Sequence, residues 1–306
     1  MSLYRTAPSP RLFQATMHEI TTPKDMRAWS RAERARGRRV GFVPTMGALH
    51  EGHLRLVDRA KERTDRVVLS VFVNPLQFGP KEDFTKYPRD LARDRTLAAE
   101  RDVDCLFAPE LEAVYPQEPL VRIAPGPMAD TLEGAARPGH FAGVLTVVAK
   151  LFHMVEPDVA VFGRKDFQQA MLVRRMVTDL DFGLEVDIAP TVRELDGLAL
   201  SSRNGYLDAD QRRAALALSR ALRAVEQAWR SGEADTRALQ RRGMEVLTAP
   251  GVRPGYLELV DEQLRPVARA DARTVVAIAA HVGATRLIDN VVLGEGVASD
   301  IAVRAS

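Results

Sequence analysis

From about residue 18 to residue 190, runs of apolar, largely β-branched residues alternate with stretches whose apolar positions recur every three or four residues. The runs fit strands buried on both faces, the stretches fit helices packed by one face, and their alternation predicts βαβ units around a parallel sheet. Strands are predicted at 18–20, 40–44, 67–73, 103–108, 158–162 and 185–189, and helices near 23–36, 53–63, 88–101, 141–155 and 167–178. Pro23 and Pro88 stand where a first helical turn tolerates proline. Beyond 190 the pattern changes. Residues 209–249 carry two helical stretches rich in Ala, Leu and Arg, and strand-like runs follow at 256–260, 274–280 and 285–292. The expectation is an α/β protein, with a parallel-sheet domain over 17–191 and a smaller α+β lid or dimerisation domain over 192–306. Residues 1–16, with Pro8, Pro10, Arg5 and Arg11 and no apolar core of signal-peptide length, read as a disordered extension.

Composition narrows the partners. The chain has 306 residues, 46% hydrophobic and 27% charged, as in an ordinary globular protein long enough for two domains. A net charge of +2 gives no electrostatic case for nucleic acid or a membrane surface, so a small-molecule partner is expected. No segment approaches the roughly twenty apolar residues of a membrane span, and the expected location is cytoplasmic. Cys105 is the single cysteine, set among Val103, Leu106 and Phe107, and reads as a buried thiol rather than a nucleophile. Only six of the 43 basic residues are Lys, which singles out Lys165 as a place where a compact ammonium is wanted.

The stretch richest in chemistry is Gly41-Phe-Val-Pro-Thr-Met46-Gly47-Ala-Leu-His50-Glu-Gly52-His53. A strand runs through a glycine turn into two histidines that open a helix, where free N–H groups and the positive dipole end favour an anion. His50 and His53, three apart, can both point at one phosphate. A solvated helix start is the plainer alternative. A metal pair is another, although the metalloprotease pattern His-Glu-x-x-His is absent. Neither Gly-x-Gly-x-x-Gly after a strand nor Gly-x-x-x-x-Gly-Lys-Ser/Thr occurs, and Gly294-Glu-Gly296 comes too late, which argues against a nicotinamide dehydrogenase and a P-loop kinase.

Five further clusters fall at strand ends or loops, where open parallel sheets hold ligands. Asn74-Pro-Leu-Gln77-Phe offers amides for hydroxyl and carboxylate oxygens, or forms a simple Asx-Pro turn. Tyr87-Pro-Arg-Asp90 opens a helix on which Asp94 could hold a hard cation such as Mg²⁺, the preferred reading being a solvated helix residue. Arg137-Pro-Gly-His140-Phe closes a Pro- and Gly-rich stretch at 109–140, too long for a mere connector, so Arg137 and His140 are expected at the cleft, the alternative being a helix cap. Phe162-Gly163-Arg164-Lys165-Asp166-Phe-Gln-Gln169 repeats the strand–glycine–helix design: Lys165 suits phosphate, Asp166 a ribose hydroxyl, and Gln169 an adjacent substrate. Asp196-Gly-Leu-Ala-Leu200-Ser201-Ser202-Arg203-Asn204-Gly205, a glycine-bounded loop at the expected domain junction, is either a mobile linker or a set of hydroxyls and a guanidinium for β- and γ-phosphates.

Taken jointly, Pro44-Thr-Met-Gly47, His50-Glu-Gly-His53, Asn74-Pro-Leu-Gln77-Phe-Gly, Tyr87-Pro-Arg, Arg137-Pro-Gly-His140-Phe, Lys165-Asp-Phe-Gln-Gln169 and Ser201-Ser-Arg-Asn204 resemble the pantoate:beta-alanine ligases, in that family's order from about residue 17 to the end. The resemblance implies a Rossmann-like nucleotidylyltransferase domain, a smaller C-terminal domain and a homodimer. It implies that ATP and pantoate give pantoyl adenylate and pyrophosphate with Mg²⁺, and that beta-alanine then gives pantothenate and AMP. By matching positions, Met46 to His53 resemble the first ATP-binding segment, with His53 the catalytic proton donor and His50 its companion. Gly163 to Asp166, Val192 and Leu200 to Arg203 would also bind ATP. Gln77 and Gln169 would hold pantoate, Gln77 also lying near beta-alanine, and Asn74, Asp94 and Arg137 match family positions. Arg164 departs from the family's usual Glu or Gln, which leaves its contact open.

The residue types agree with that chemistry. A carboxylate must become a mixed anhydride before it can acylate an amine, and attack on the α-phosphorus builds negative charge that fixed donors stabilise by about 3 kcal/mol each. Cys105 is buried, and Ser201 and Ser202 have no obvious base, so a non-covalent acyl adenylate is expected. The competing readings are a relative that leaves AMP on a phosphorylated acceptor, a nucleotide-binding regulator without turnover, and, last, a nucleic-acid-binding module.

Overall fold

The computed structural model describes residues 17–80 and 82–303; the expected N-terminal extension lies outside the described residues. The first unit runs β1 (His18–Ile20), α1 (Pro23–Ala35), β2 (Val40–Thr45), α2 (Glu51–Arg63), β3 (Arg66–Val71), α3 (Leu91–Glu100), β4 (Cys105–Phe107), α4 (Leu111–Val114), α5 (Leu132–Ala136), α6 (His140–Val155), β5 (Val159–Gly163), α7 (Phe167–Asp179) and β6 (Glu185–Ala189). Its six strands form one sheet in the order β1-β4-β3-β2-β5-β6, and every pairing is parallel. Phe42, Val68, Phe107 and Ala160 point to one face, under α1, α6 and α7. Val43, Leu69, Leu106 and Val161 point to the other, under α2 and α3, so the inner strands β2 to β5 are apolar on both sides, as their hydrophobic runs require.

The strand order fixes where a ligand can sit. From β2 the chain proceeds outward through β3 to β4, and later returns to β2's other side as β5. At such a switch point the loops leaving the carboxyl ends diverge and open a crevice. The loop leaving β2 is Met46–His50, which delivers His53 on the first turn of α2, and the one leaving β5 is Arg164–Asp166.

The second unit contains β7 (Val192–Glu194), α8 (Ala209–Arg230), α9 (Thr236–Leu247), β8 (Val252–Val260), β9 (Val275–Val282), β10 (Thr285–Val292) and β11 (Ile301–Val303). Strands β8, β9 and β10 form an antiparallel sheet against α8 and α9, with a separate core of Leu218, Leu222, Leu239, Leu257 and Ile278. β7 pairs in parallel with β11 beside the junction between the units.

Several boundaries differ from expectation. β8 begins at Val252 rather than 256, because Pro254 and Gly255 sit in a bulge that weakens the strand signal. β7 and β11 were not expected; β7 reads as polar because two of its three residues are the buried Arg193 and Glu194, and β11 is a further three-residue strand. α3 begins at Leu91, with Asp90 accepting from the Arg93 N–H at 2.9 Å, so Pro88 precedes the helix instead of occupying its first turn. Among the described residues no helix is long and apolar enough to cross a membrane.

Candidate active site

The β2 loop is built as a rigid turn. Thr45 Oγ1 donates to the Ser70 carbonyl at 2.6 Å and accepts the Gly47 N–H at 3.1 Å. Gly47 has φ +81°, and a Cβ there would lie 2.7 Å from Asp94 Oδ2, so only glycine fits. Asp94 reaches in from α3 and accepts the N–H groups of Ala48 at 3.0 Å and Leu49 at 2.7 Å. That corrects the expectation for Asp94 on both counts. The carboxylate is buried rather than solvated, and its oxygens serve the turn instead of facing a cation. Burial raises its pKa, against those two N–H bonds.

The turn delivers two imidazoles side by side. His50 caps α2 through Nδ1, which accepts the Gly52 N–H at 3.1 Å and leaves the ring proton on Nε2. His53 stacks on it with ring centroids 4.1 Å apart and planes 25° from parallel. Burial pushes the His50 pKa down to about 2, with further lowering by His53, Lys165 and Arg93. Burial takes His53 to about 4, Asp166 opposing and Lys165 adding to the shift. Both rings are therefore neutral at pH 7, and His53 Nδ1 is buried without a hydrogen-bond partner.

A second wall comes from the turn after β3. Asn74 Nδ2 donates to Gln77 Oε1 and to the Gly143 carbonyl, each at 3.1 Å, while its Oδ1 accepts from the Tyr115 hydroxyl at 3.0 Å. Gln77 Nε2 lies 3.1 Å from Met46 Sδ. Gly143 allows this, since a Cβ there would lie 2.1 Å from the Leu76 carbonyl oxygen. Asn74 thus acts by orienting Gln77. The Gln77 carbonyl accepts His140 Nδ1 at 2.8 Å, and His140 Nε2 stands 2.9 Å from Arg137 Nη1, which assigns the His140 proton to Nδ1.

One crevice collects these parts. It is lined by Met46, His50, Gly52, His53, Asn74, Gln77, Gly163, Lys165, Asp166, Gln169, Val192, Leu200, Ser201, Ser202 and Arg203, over a floor of Val144, Val147, Val148 and Leu151 from α6. Lys165 and Ser202, remote in sequence from the histidines, do reach the same cavity. Leu200 is held against Val192 by an N–H to carbonyl bond of 2.9 Å. The Ser201 hydroxyl accepts the Arg203 N–H at 3.2 Å, Ser202 is hydrogen-bonded to Tyr87, and Arg203 pairs with Asp83 at 3.1 Å.

Besides Asp94, four expected residues, Gly47, Arg164, Arg137 and His140, stand outside this lining. Gly47 lies behind the lining and shapes it through the turn. Arg164 turns away to pair with Glu295 at 2.5 Å, since its neighbour across the junction supplies a carboxylate. Arg137 grips both oxygens of Glu82 at 2.6 and 2.7 Å and buttresses Gln77 through His140, lining the adjoining cavity with Lys165 and Asp166 rather than the crevice that holds His50 and His53. The apolar floor and Thr191, whose buried hydroxyl has no partner, were not expected. The floor was signalled only by the length and all-round hydrophobicity of α6.

A family model for pantoate-beta-alanine ligase matches residues 18–292. The chain belongs to the pantoate-beta-alanine ligase family. It is 50% identical over 276 residues to the pantothenate synthetase of Pelotomaculum thermopropionicum, covering 90% of this chain and 98% of that protein. With the Acidobacterium capsulatum pantothenate synthetase it shares 55% identity over 260 residues, 84% of this chain and 87% of the other. The crystal structure of the Thermus thermophilus enzyme superposes with a TM-score of 0.86 at 50% identity, covering 90% of this chain and 99% of that one. The Francisella tularensis ligase, crystallised with beta-gamma ATP and beta-alanine, superposes with a TM-score of 0.74 at 33% identity over 92% of this chain and all of that one. In a member of this family the crevice between β2 and β5 is the candidate active site.

Proposed function

We propose that this crevice carries out ATP-dependent ligation of pantoate to beta-alanine in two steps, through pantoyl adenylate. The observation that carries the reading is the convergence of two stacked imidazoles, an ammonium and the Ser201–Arg203 turn on one cavity that also presents the amides of Gln77 and Gln169. In the first step a pantoate carboxylate oxygen attacks the α-phosphorus of ATP and the bond to the β-phosphate oxygen breaks, releasing pyrophosphate. In the second, the uncharged amine of beta-alanine attacks the acyl carbon, AMP leaves, and the amine loses a proton as the amide forms.

Each group has a role that its environment supports. Gln77 and Gln169 orient pantoate without adding charge, and the aliphatic floor of α6 suits its methyl groups. Lys165, Ser201, Ser202 and Arg203 meet the phosphates, beside the positive dipole end of α2. His50 donates from Nε2. His53, held neutral by burial, acquires a proton when the triphosphate's negative charge arrives, and can then stabilise the departing pyrophosphate. Val192 sits where the units meet, and we divide the chain there, 17–191 from 192–306.

Mg²⁺ fits as an ion carried by the phosphates. Among the described residues no three His, Cys, Asp or Glu side chains gather to hold a metal, and Mg²⁺ asks for only one or two carboxylates beside phosphate. Asp166 is the carboxylate in the crevice lining that would supply one, and the ion would neutralise phosphate charge. The same reading makes the enzyme a homodimer and places it in the cytoplasm, where ATP is available.

The test is product analysis with each substrate omitted in turn. AMP is expected only when ATP, pantoate and beta-alanine are all present. A stable product carrying AMP on a phosphorylated acceptor would instead support the transferase reading, and turnover indifferent to pantoate would defeat the ligase reading.

A further inference from the structure

The turn that carries Lys165 is clasped by the second unit. Asn290 on β10 is buried, and its Nδ2 donates to two successive carbonyls, those of Arg164 and Lys165, at 2.9 Å each. Both hydrogens of one carboxamide are thereby used on one turn. Asn290 is itself locked. Its backbone carbonyl accepts Arg193 Nη2 at 3.3 Å, and its backbone N–H donates to Asp289 Oδ1 at 2.8 Å. Arg193 forks onto Asp289 at 2.6 and 2.8 Å and reaches Asp300 Oδ2 at 2.6 Å through Nε, all three being buried. This network joins β7, β10 and β11, so Asn290 rides on a rigid frame beside Val192. Such a frame resists displacement, because breaking a buried ion group leaves an uncompensated charge. On the Lys165 side chain, by contrast, the contact within the turn is a loose one, 3.9 Å to Asp166.

We infer that Asn290 is a positioning residue: by clasping the Arg164–Lys165 backbone it sets where the Lys165 ammonium stands in the crevice, and so makes that placement depend on the second unit. The inference rests on the reading of Lys165 as a phosphate ligand. A side chain acting only through Lys165 should lose its influence when Lys165 is gone, whereas one acting through general stability should not.

The experiment is a double-mutant cycle of Asn290→Ala and Lys165→Ala, read as ATP consumption under single-turnover conditions with excess enzyme, pantoate and beta-alanine. In the wild-type background Asn290→Ala should slow the reaction at least about 10-fold, within the ~10²-fold that a 1 Å misplacement can produce. In the Lys165→Ala background the same change should cost less than about twofold. Equal losses in the two backgrounds, or no loss in either, would overturn the proposal. Should Asn290→Ala fail to fold, Asn290→Ser, which keeps one donor, is read by the same comparison. Full activity of Lys165→Ala alone would refute the reading of Lys165, and with it this proposal, and that outcome is visible before Asn290 is touched.

Discussion

His50, His53 and His140 show how much a side chain's chemistry depends on where the fold puts it. All three have pKa values lowered below the ordinary 6.5 chiefly by burial, His50 to about 2 and the other two to about 4. The unfolded chain binds protons near pH 6.5 that the folded chain refuses. Between 6.5 and the folded values the unfolded state therefore holds more protons, and stability falls as pH falls. The slope approaches about 1.4 kcal/mol per pH unit for each such imidazole. Urea denaturation should give a lower stability at pH 5.5 than at pH 7, and His53→Ala should show a shallower decline; equal stability at the two pH values would contradict the burial-driven shifts. The residue types at these positions were legible in the sequence, and so was the meeting of His50 and His53 at the end of β2, whereas His140, expected at the cleft, stands behind the lining on the Gln77 carbonyl. What was illegible is which polar group each long side chain would choose. Arg137 meets Glu82, Arg164 meets Glu295 and Asp94 meets two backbone N–H groups, and each choice depends on segments distant in sequence.

The elements follow from patterns that local physics makes strong. Strands apolar on both faces and helices with one apolar stripe gave β1 to β6 and α1, α2, α6 and α7 close to their observed limits. Short elements escaped. β7 is three residues long and buries Arg193 and Glu194, so its sequence looks polar although its side chains are internal. That strand nevertheless anchors the frame beneath Asn290. α6 shows the reverse case. Its unbroken hydrophobicity was legible, but its double duty was not: it covers the sheet with one side and floors the crevice with another. Gly143 is what lets α6 approach the Asn74–Gln77 turn closely enough for both.

Across the whole molecule, the two units are joined by polar contacts, Arg286 with Glu133, Arg164 with Glu295 and Asn290 with the Lys165 turn, and by an apolar strip in which Val260, Leu264 and Val275 of the second unit join the core of the first. Outward, Leu120 and Val121 are 92% and 85% exposed in adjacent positions, and the homodimer proposed above is tested there. Light scattering should return twice the 33.8 kDa chain mass, and Leu120→Glu with Val121→Glu should return the mass of one chain; a wild-type monomer would contradict the homodimer reading. The central claim concerns the bond made in the crevice, and isotope transfer reads it directly. With pantoate labelled by ¹⁸O in its carboxylate, the account predicts one labelled oxygen in the phosphate of AMP and one retained in the amide of pantothenate. Label appearing in pyrophosphate or orthophosphate, with AMP unlabelled, would contradict attack at the α-phosphorus.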